Sequence, residues 1–180
     1  MSKKYNTGRR RVGRSGALAA VVLCVSMLTG CGSEPANPSD AVAELQGGFS
    51  CVADIQYDGF AARATLGQKE PGVCEVTFSE PAALKGMTLS FDREQITVGY
   101  LGMQVSLDNE SVLANSAVSA IVNAIDAASR QQGISVEKKG SSIVVTGQIE
   151  QGTYEIVLDA KTGAIGKLSV PGLNLEAKFT

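Results

Sequence analysis

The stretch FSCVADIQYDGFAARATL, residues 49–66, decides the fold. Phe49, Cys51, Ala53, Ile55 and Tyr57 alternate with Ser50, Val52, Asp54 and Gln56. After Asp58-Gly59, Phe60, Ala62, Ala64 and Leu66 resume the alternation. A period of two marks a strand with one buried face, and Asp-Gly between two such runs is a strong signal for a two-residue hairpin. That turn sets a register in which Tyr57 opposes Phe60, Cys51 opposes Leu66 and Asp54 opposes Arg63. The last pair is expected to be an ion pair on the polar face.

Working outward, the same pattern recurs to the end of the chain. Lys69 to Gly72 is read as a turn, and Cys74, Val76 and Phe78 follow on one face. Residues 81–86 interrupt. Met87, Leu89 and Phe91 alternate next, then Ile96, Val98 and Tyr100, then Met103, Val105 and Leu107. The period then changes. Val118, Ile121, Val122 and Ile125 are spaced as a helical stripe, with Ser116 as N-cap and Gly133 as stop. Alternation returns through Val136, Ile143, Val145 and Ile149, with Gly147 read as a bulge or bend. Tyr154, Ile156 and Leu158 lead to an Asp159–Gly163 turn. Leu168 and Val170 run to Pro171-Gly172, read as a type II turn, and Leu175, Ala177 and Phe179 close the chain. A short helix is expected from Pro38, capped by Asn37 and ended by Gly47-Gly48.

Ten or eleven strands in hairpin succession, each with one polar face, make an antiparallel sheet with one side in water. The apolar side needs a cover, and the amphipathic helix needs a partner. The expected class is mainly β (α+β): a curved antiparallel half-barrel with a helix on its concave face. One helix of roughly 15 residues is about 22 Å long and does not fill a wide concavity alone. Ala53, Ala62, Ala64, Ala164 and Gly166 keep parts of the inner face shallow. The helix therefore either lies very close to the sheet or leaves an apolar cavity.

The net charge of -2 averages two unlike segments. Six of the 16 basic residues (Lys3, Lys4, Arg9, Arg10, Arg11 and Arg14) precede Ala17, and no acidic residue precedes Glu34. The remainder has 10 basic residues against 18 acidic. The apolar run from Ala17 to Thr29 is 13 residues long, shorter than the roughly 20 needed to span a bilayer. Cations before a short apolar run read as a secretory signal peptide. Leu28-Thr29-Gly30-Cys31 resembles the bacterial lipobox, which implies cleavage before Cys31 and a lipid on its thiol. The expected organisation is a cleaved signal at 1–30, lipidated Cys31 and a tether at 31–37, and one domain at 38–180. The protein is then exported and held by its N-terminal lipid on the extracytoplasmic face of a bacterial membrane.

There is no His, which removes imidazole bases, His-activated nucleophiles and imidazole metal ligands. No acidic cluster forms an EF-hand pattern, and no glycine run forms a phosphate loop. With the first thirty residues set aside, no basic surface suits nucleic acid. No enzyme activity, cofactor or metal is expected. Export permits a Cys51–Cys74 disulfide. The hairpin register instead places the two cysteines two strands apart, about 9.6 Å, beyond the roughly 7 Å limit for a bridge. Two small buried thiols are expected.

Pro71-Gly72-Val73-Cys74-Glu75-Val76-Thr77-Phe78, followed by Glu80-Pro81, resembles the LolA/LolB-like superfamily. The resemblance extends over most of residues 47–180. It implies an open half-barrel whose helices cover an apolar cavity, in proteins that bind acyl chains or lipids or act as envelope sensors. The chain departs from the carriers of that family. They lack a lipid anchor, and they have an Arg at the Pro turn where Lys69-Glu70 stands here. Its aromatic content of 5% also makes a thinner lining. The candidate lining is Phe60, Ala62, Leu66, Phe78, Leu89, Phe91, Val98, Tyr100 and Met103. The expected function is a membrane-anchored lipoprotein binding a lipid or acyl chain. The alternative is a sensor, or a stabiliser of an envelope protein partner, with a filled cavity.

Overall fold

A computed structural model describes residues 37–93, 95–108 and 116–180. The expected signal peptide, Cys31, the tether up to residue 36, Glu94 and residues 109–115 lie outside the described residues. One antiparallel sheet of 11 strands runs β6-β5-β4-β3-β2-β1-β11-β10-β9-β8-β7. The strands are β1 Phe49–Tyr57, β2 Phe60–Glu70, β3 Val73–Glu80, β4 Thr88–Asp92, β5 Gln95–Tyr100, β6 Met103–Asp108, β7 Ser135–Lys139, β8 Ser142–Ile149, β9 Gly152–Asp159, β10 Ile165–Val170 and β11 Leu175–Phe179. Two helices accompany them, α1 Pro38–Ala43 and α2 Ala117–Ser129. The expected half-barrel with a helix on its inner face is the observed architecture.

The topology explains the cover. All neighbours in the sheet are hairpin partners except β1 and β11, which join two meanders. β6 and β7 are therefore the two opposite edges. The chain between them must pass from edge to edge, and α2 lies on that passage. It packs chiefly on β8, while α1 packs on β7, β8, β9 and α2.

The first hairpin has the register read from sequence: Tyr57 opposes Phe60, Cys51 opposes Leu66, and Asp54 opposes Arg63. Asp54 Oδ1 lies 3.6 Å from Arg63 Nε, with both side chains about half exposed, so the pair contributes at most about 1 kcal/mol. Gln68 opposes Cys74, and both Cys51 and Cys74 are free.

Several local expectations differ from the observed chain. Lys69 and Glu70 belong to β2, and the turn is made by Pro71 and Gly72, whose φ is 79°. The Ser116 cap is present, its Oγ accepting from Ser119 N–H at 3.2 Å. The helix ends at Ser129, before Gly133, because Gln131 already has the left-handed φ of 54°. Pro171-Gly172 opens a single 3₁₀ turn, and the left-handed residue is Asn174, with φ 48°. Gly147 is in regular register with Tyr154. Register shifts fall instead at Gly166, between Ile165 and Lys167, and on β2 between Arg63 and Ala64 and between Gln68 and Glu70. α1 is only six residues long and continues as a 3₁₀ turn, Glu44–Gln46, up to Gly47. Asp40 Oδ2 accepts from the Asn37 N–H at its start, 3.2 Å away.

Gly147 has a packing role. A Cβ there would overlap the ring and hydroxyl of Tyr154, which is completely buried. The glycine leaves room for an aromatic ring to lie across the strand. Burial pushes the Tyr154 hydroxyl's pKa up, and that hydroxyl has no hydrogen-bond partner.

Candidate functional site

The concave face carries a cavity of about 290 Å³ at the N-terminal end of α2. Ile55 and Tyr57 of β1, Phe60 and Ala62 of β2, Phe78 of β3, Leu89 of β4 and Val98 of β5 form its floor. Ser116, Ala117 and Val118 form its helical wall, and Leu84 and Met87 its lip. The cause is local. Ala62 supplies only a methyl group where its neighbours supply rings, and the helix begins with the small residues Ser116 and Ala117. The lip is fastened to the sheet: Phe78 N–H donates to Met87 O and Gly86 N–H to Phe78 O, each at 2.9 Å. Tyr100 OH donates to Ala83 O at 3.4 Å. Phe60 is 50% exposed and marks the mouth. Among the described residues, no acid or base lines the space other than the Tyr57 phenol.

Five of the nine residues singled out from sequence meet here: Phe60, Ala62, Phe78, Leu89 and Val98. The other four go elsewhere. Leu66 is fully buried in the core. Phe91 lines a different, polar cleft. Tyr100 tethers the lip. Met103 does not line the cavity; it is 66% exposed because β6 is an edge strand. Ile55, Tyr57 and Met87 lay on the alternating faces and were legible as inner-face residues. Leu84 carried no signal, since residues 81–86 read only as an interruption.

Other hollows have mixed linings. The polar cleft, about 270 Å³, lies between α2 and the turns at Gly72 and Arg93. Two ion pairs border it, Arg93 with Glu70 at 2.9 Å and Arg130 with Asp126 at 2.5 Å, and Asp92 lines it as well. A third hollow of about 390 Å³ touches Glu44, Cys51, Thr162 and Thr180. Burial raises the Cys51 thiol to about 11. Burial, and secondarily the neighbouring Cys51, raises that of Cys74 to about 12. Neither is a ready nucleophile, because the thiolate is the reactive form. Among the described residues no group of three metal-ligating side chains converges. No helix among them is long and apolar enough to cross a membrane.

No protein-family profile matches this chain, and no curated protein matches it. Solved structures do. An uncharacterised conserved protein from Thermus thermophilus superposes with a TM-score of 0.50 at 11% identity, over 79% of this chain and 84% of that one. The two share a fold. A LolA superfamily protein from Nitrosomonas europaea is similar at 10% identity, with a TM-score of 0.42 over 79% of this chain and 90% of that one. So is a chain from the complex of the CwlD amidase of Clostridioides difficile with the GerS lipoprotein. That match has 14% identity and a TM-score of 0.42, over 69% of this chain and 76% of that one.

Proposed function

We propose that this protein is a bacterial lipoprotein, exported and held at the membrane through Cys31, that binds one acyl chain without catalysis. The observation that carries the reading is the cavity of about 290 Å³ lined almost wholly by apolar side chains. An apolar cavity of about 150 Å³ takes up benzene, six carbons, so this one suits a single chain of about twelve. Each methylene withdrawn from water contributes about 0.8 kcal/mol. With no cation or anion among the described lining residues, the polar head is left at the mouth beside Phe60. The Leu28-Thr29-Gly30-Cys31 sequence supports the anchor. A sensor or partner stabiliser with a filled interior draws no support from a cavity that α2 leaves unfilled.

The test is titration of the chain with a fluorescent fatty acid. Saturable binding is expected, and Ala62→Trp, which fills the floor, is expected to abolish it. Affinity should rise with chain length and level off near about twelve carbons, by the volume comparison above. A wild-type chain that neither binds the probe nor co-purifies with lipid refutes the reading. For the anchor, intact-mass analysis should show the added lipid on the wild type and none on Cys31→Ser.

A further inference from the structure

The two edges of the sheet are built differently. β7, residues 135–139, carries Glu137, Lys138 and Lys139, the charged guard that natural edge strands use against pairing. β6 carries no charge before its last residue, Asp108. Its Met103 and Val105 are 66% and 57% exposed, and Leu101 in the preceding turn is 79% exposed. Among the described residues nothing pairs with its outer side.

We infer that β6 pairs antiparallel with β6 of a second copy, across a two-fold axis at Val105. The backbone fixes which residues offer hydrogen bonds. Tyr100 and Met103 close a two-residue turn, Leu101-Gly102, with φ of 51° and 80°. In such a hairpin the closing pair is hydrogen-bonded, and pairs alternate from there. Val98–Val105 and Ile96–Leu107 are then bonded pairs, and the N–H and C=O groups of Gln104, Ser106 and Asp108 point away from β5. An incoming strand must oppose these groups with its own. Opposing Gln104 to Ser106 of the second copy does so twice by symmetry.

The same register matches side chains. Val105 meets Val105 of the second copy, and Met103 meets its Leu107, all on the concave face. Gln104 meets Ser106 on the polar face. Asp108 falls opposite Gly102 of the second copy, so no like charges meet. The pairing is closed because the guarded β7 edge offers no continuation. Met103 and Val105 lie on the same face as Val98 of the cavity floor, so pairing would carry that apolar floor from one half-barrel into the next.

The test uses the full chain in detergent, with Cys24 and Cys31 changed to serine. Cys51 and Cys74 give little background, being buried or half-buried with thiols that resist ionisation. A non-hydrogen-bonded pair brings α-carbons to about 4.5 Å, within disulfide range. Under mild oxidation Val105→Cys should convert to a covalent dimer. Gln104→Cys should not, since its symmetry mate is two residues out of register. Sedimentation should show a dimer for the parent chain and its loss in Val105→Lys, whose fold, read by circular dichroism, should be retained because Val105 is exposed in the single chain. A monomeric parent chain overturns the inference and leaves this edge to a strand from an unlike protein. A dimer that persists in Val105→Lys, or that leaves Val105→Cys uncrosslinked, overturns it as well.

Discussion

The half of the sheet under the two helices and the half beyond them have the same strand chemistry and different interiors. On β8, β9 and β10, the inner side chains Ile143, Val145, Tyr154, Ile156, Leu158 and Leu168 are at most 2% exposed. On β1 to β5 the inner face includes Ala53, Ala62 and Ala64, and a cavity remains. The difference comes from the cover. α1 and α2 both rest on the β8 side, and Gln46 Nε2, donating to Ser129 O at 2.9 Å, ties their ends together. Ala120, Ala124 and Ala128 are completely buried and let α2 lie close. On the other side the first residues of α2 wall the cavity, while Val122, Asn123, Asp126 and Arg130 border the polar cleft at the Gly72 and Arg93 turns. One helix thus seals one half of a half-barrel and roofs the other.

Truncations should expose this contrast most strongly. Ile156→Ala, in the sealed half, should lower unfolding stability by about 2–5 kcal/mol, read by denaturant titration. Val98→Ala, on the wall of an existing cavity, should cost well under half of that and should weaken acyl-probe binding. Equal losses at the two sites would mean that the two halves are packed alike.

The Gly147–Tyr154 pair sharpens the comparison inside the sealed half. Gly147→Ala places a methyl group into the ring and should cost about 1–3 kcal/mol. Tyr154→Leu in the same chain should recover much of that, which a loss due to strand propensity alone would not do. Tyr154→Phe removes a buried hydroxyl without a partner and should raise stability by about 1 kcal/mol. A Tyr154→Phe protein that is less stable would mean that the hydroxyl is bonded in solution.

The strands of both halves were legible because each carries a period of two, and the first hairpin's register followed from Asp58-Gly59 alone. The β1–β11 pairing was not legible. It joins residues more than a hundred positions apart, and no local turn encodes it. The sequence also offered close packing and a cavity as alternatives, whereas both occur, one in each half. What separates them is which strands the helix rests on, a long-range choice that its own stripe of Val118, Ile121, Val122 and Ile125 does not specify. Met103 shows the same limit. Its alternation put it on the inner face correctly, but only the strand order reveals that β6 is an edge of the sheet. Gly147 makes no bend: a strand glycine serves a bend or a facing ring equally well, and the ring here, Tyr154, belongs to the next strand.

A smaller effect concerns the thiols of the open half. Cys51 on β1 and Cys74 on β3 lie on the side that keeps a cavity, yet both resist ionisation. Their stabilising effect is present below the ordinary thiol value and is lost as pH rises toward the folded values of about 11 and about 12. Alkylation near neutral pH should be at least about a hundredfold slower than in denaturant, since two pKa units are a hundredfold in thiolate. Rapid labelling of Cys51 in the native protein would mean that the open half breathes.

The smallest effect belongs to the β9–β10 turn of the sealed half. Asp159 Oδ1 accepts from the N–H groups of Thr162 and Lys161, each at 2.9 Å, and from Thr162 Oγ1 at 3.0 Å. These bonds, that from the Thr162 N–H first, hold the carboxyl below the ordinary aspartate value. A depressed carboxylate favours the fold above its unfolded value, and that contribution disappears as pH falls through the folded one. Acid should therefore loosen this turn while the core around Ile156 stays closed. Amide exchange at Lys161 and Thr162 should accelerate on acidification relative to Ile156, beyond the general pH dependence of exchange. In Asp159→Asn that relative acceleration should vanish, since an amide side chain does not titrate. If Asp159→Asn keeps the wild-type response, the acid sensitivity of this hairpin lies in another group, and Glu176, lowered by its hydrogen bond from Lys167 on the neighbouring strand, is the next to substitute.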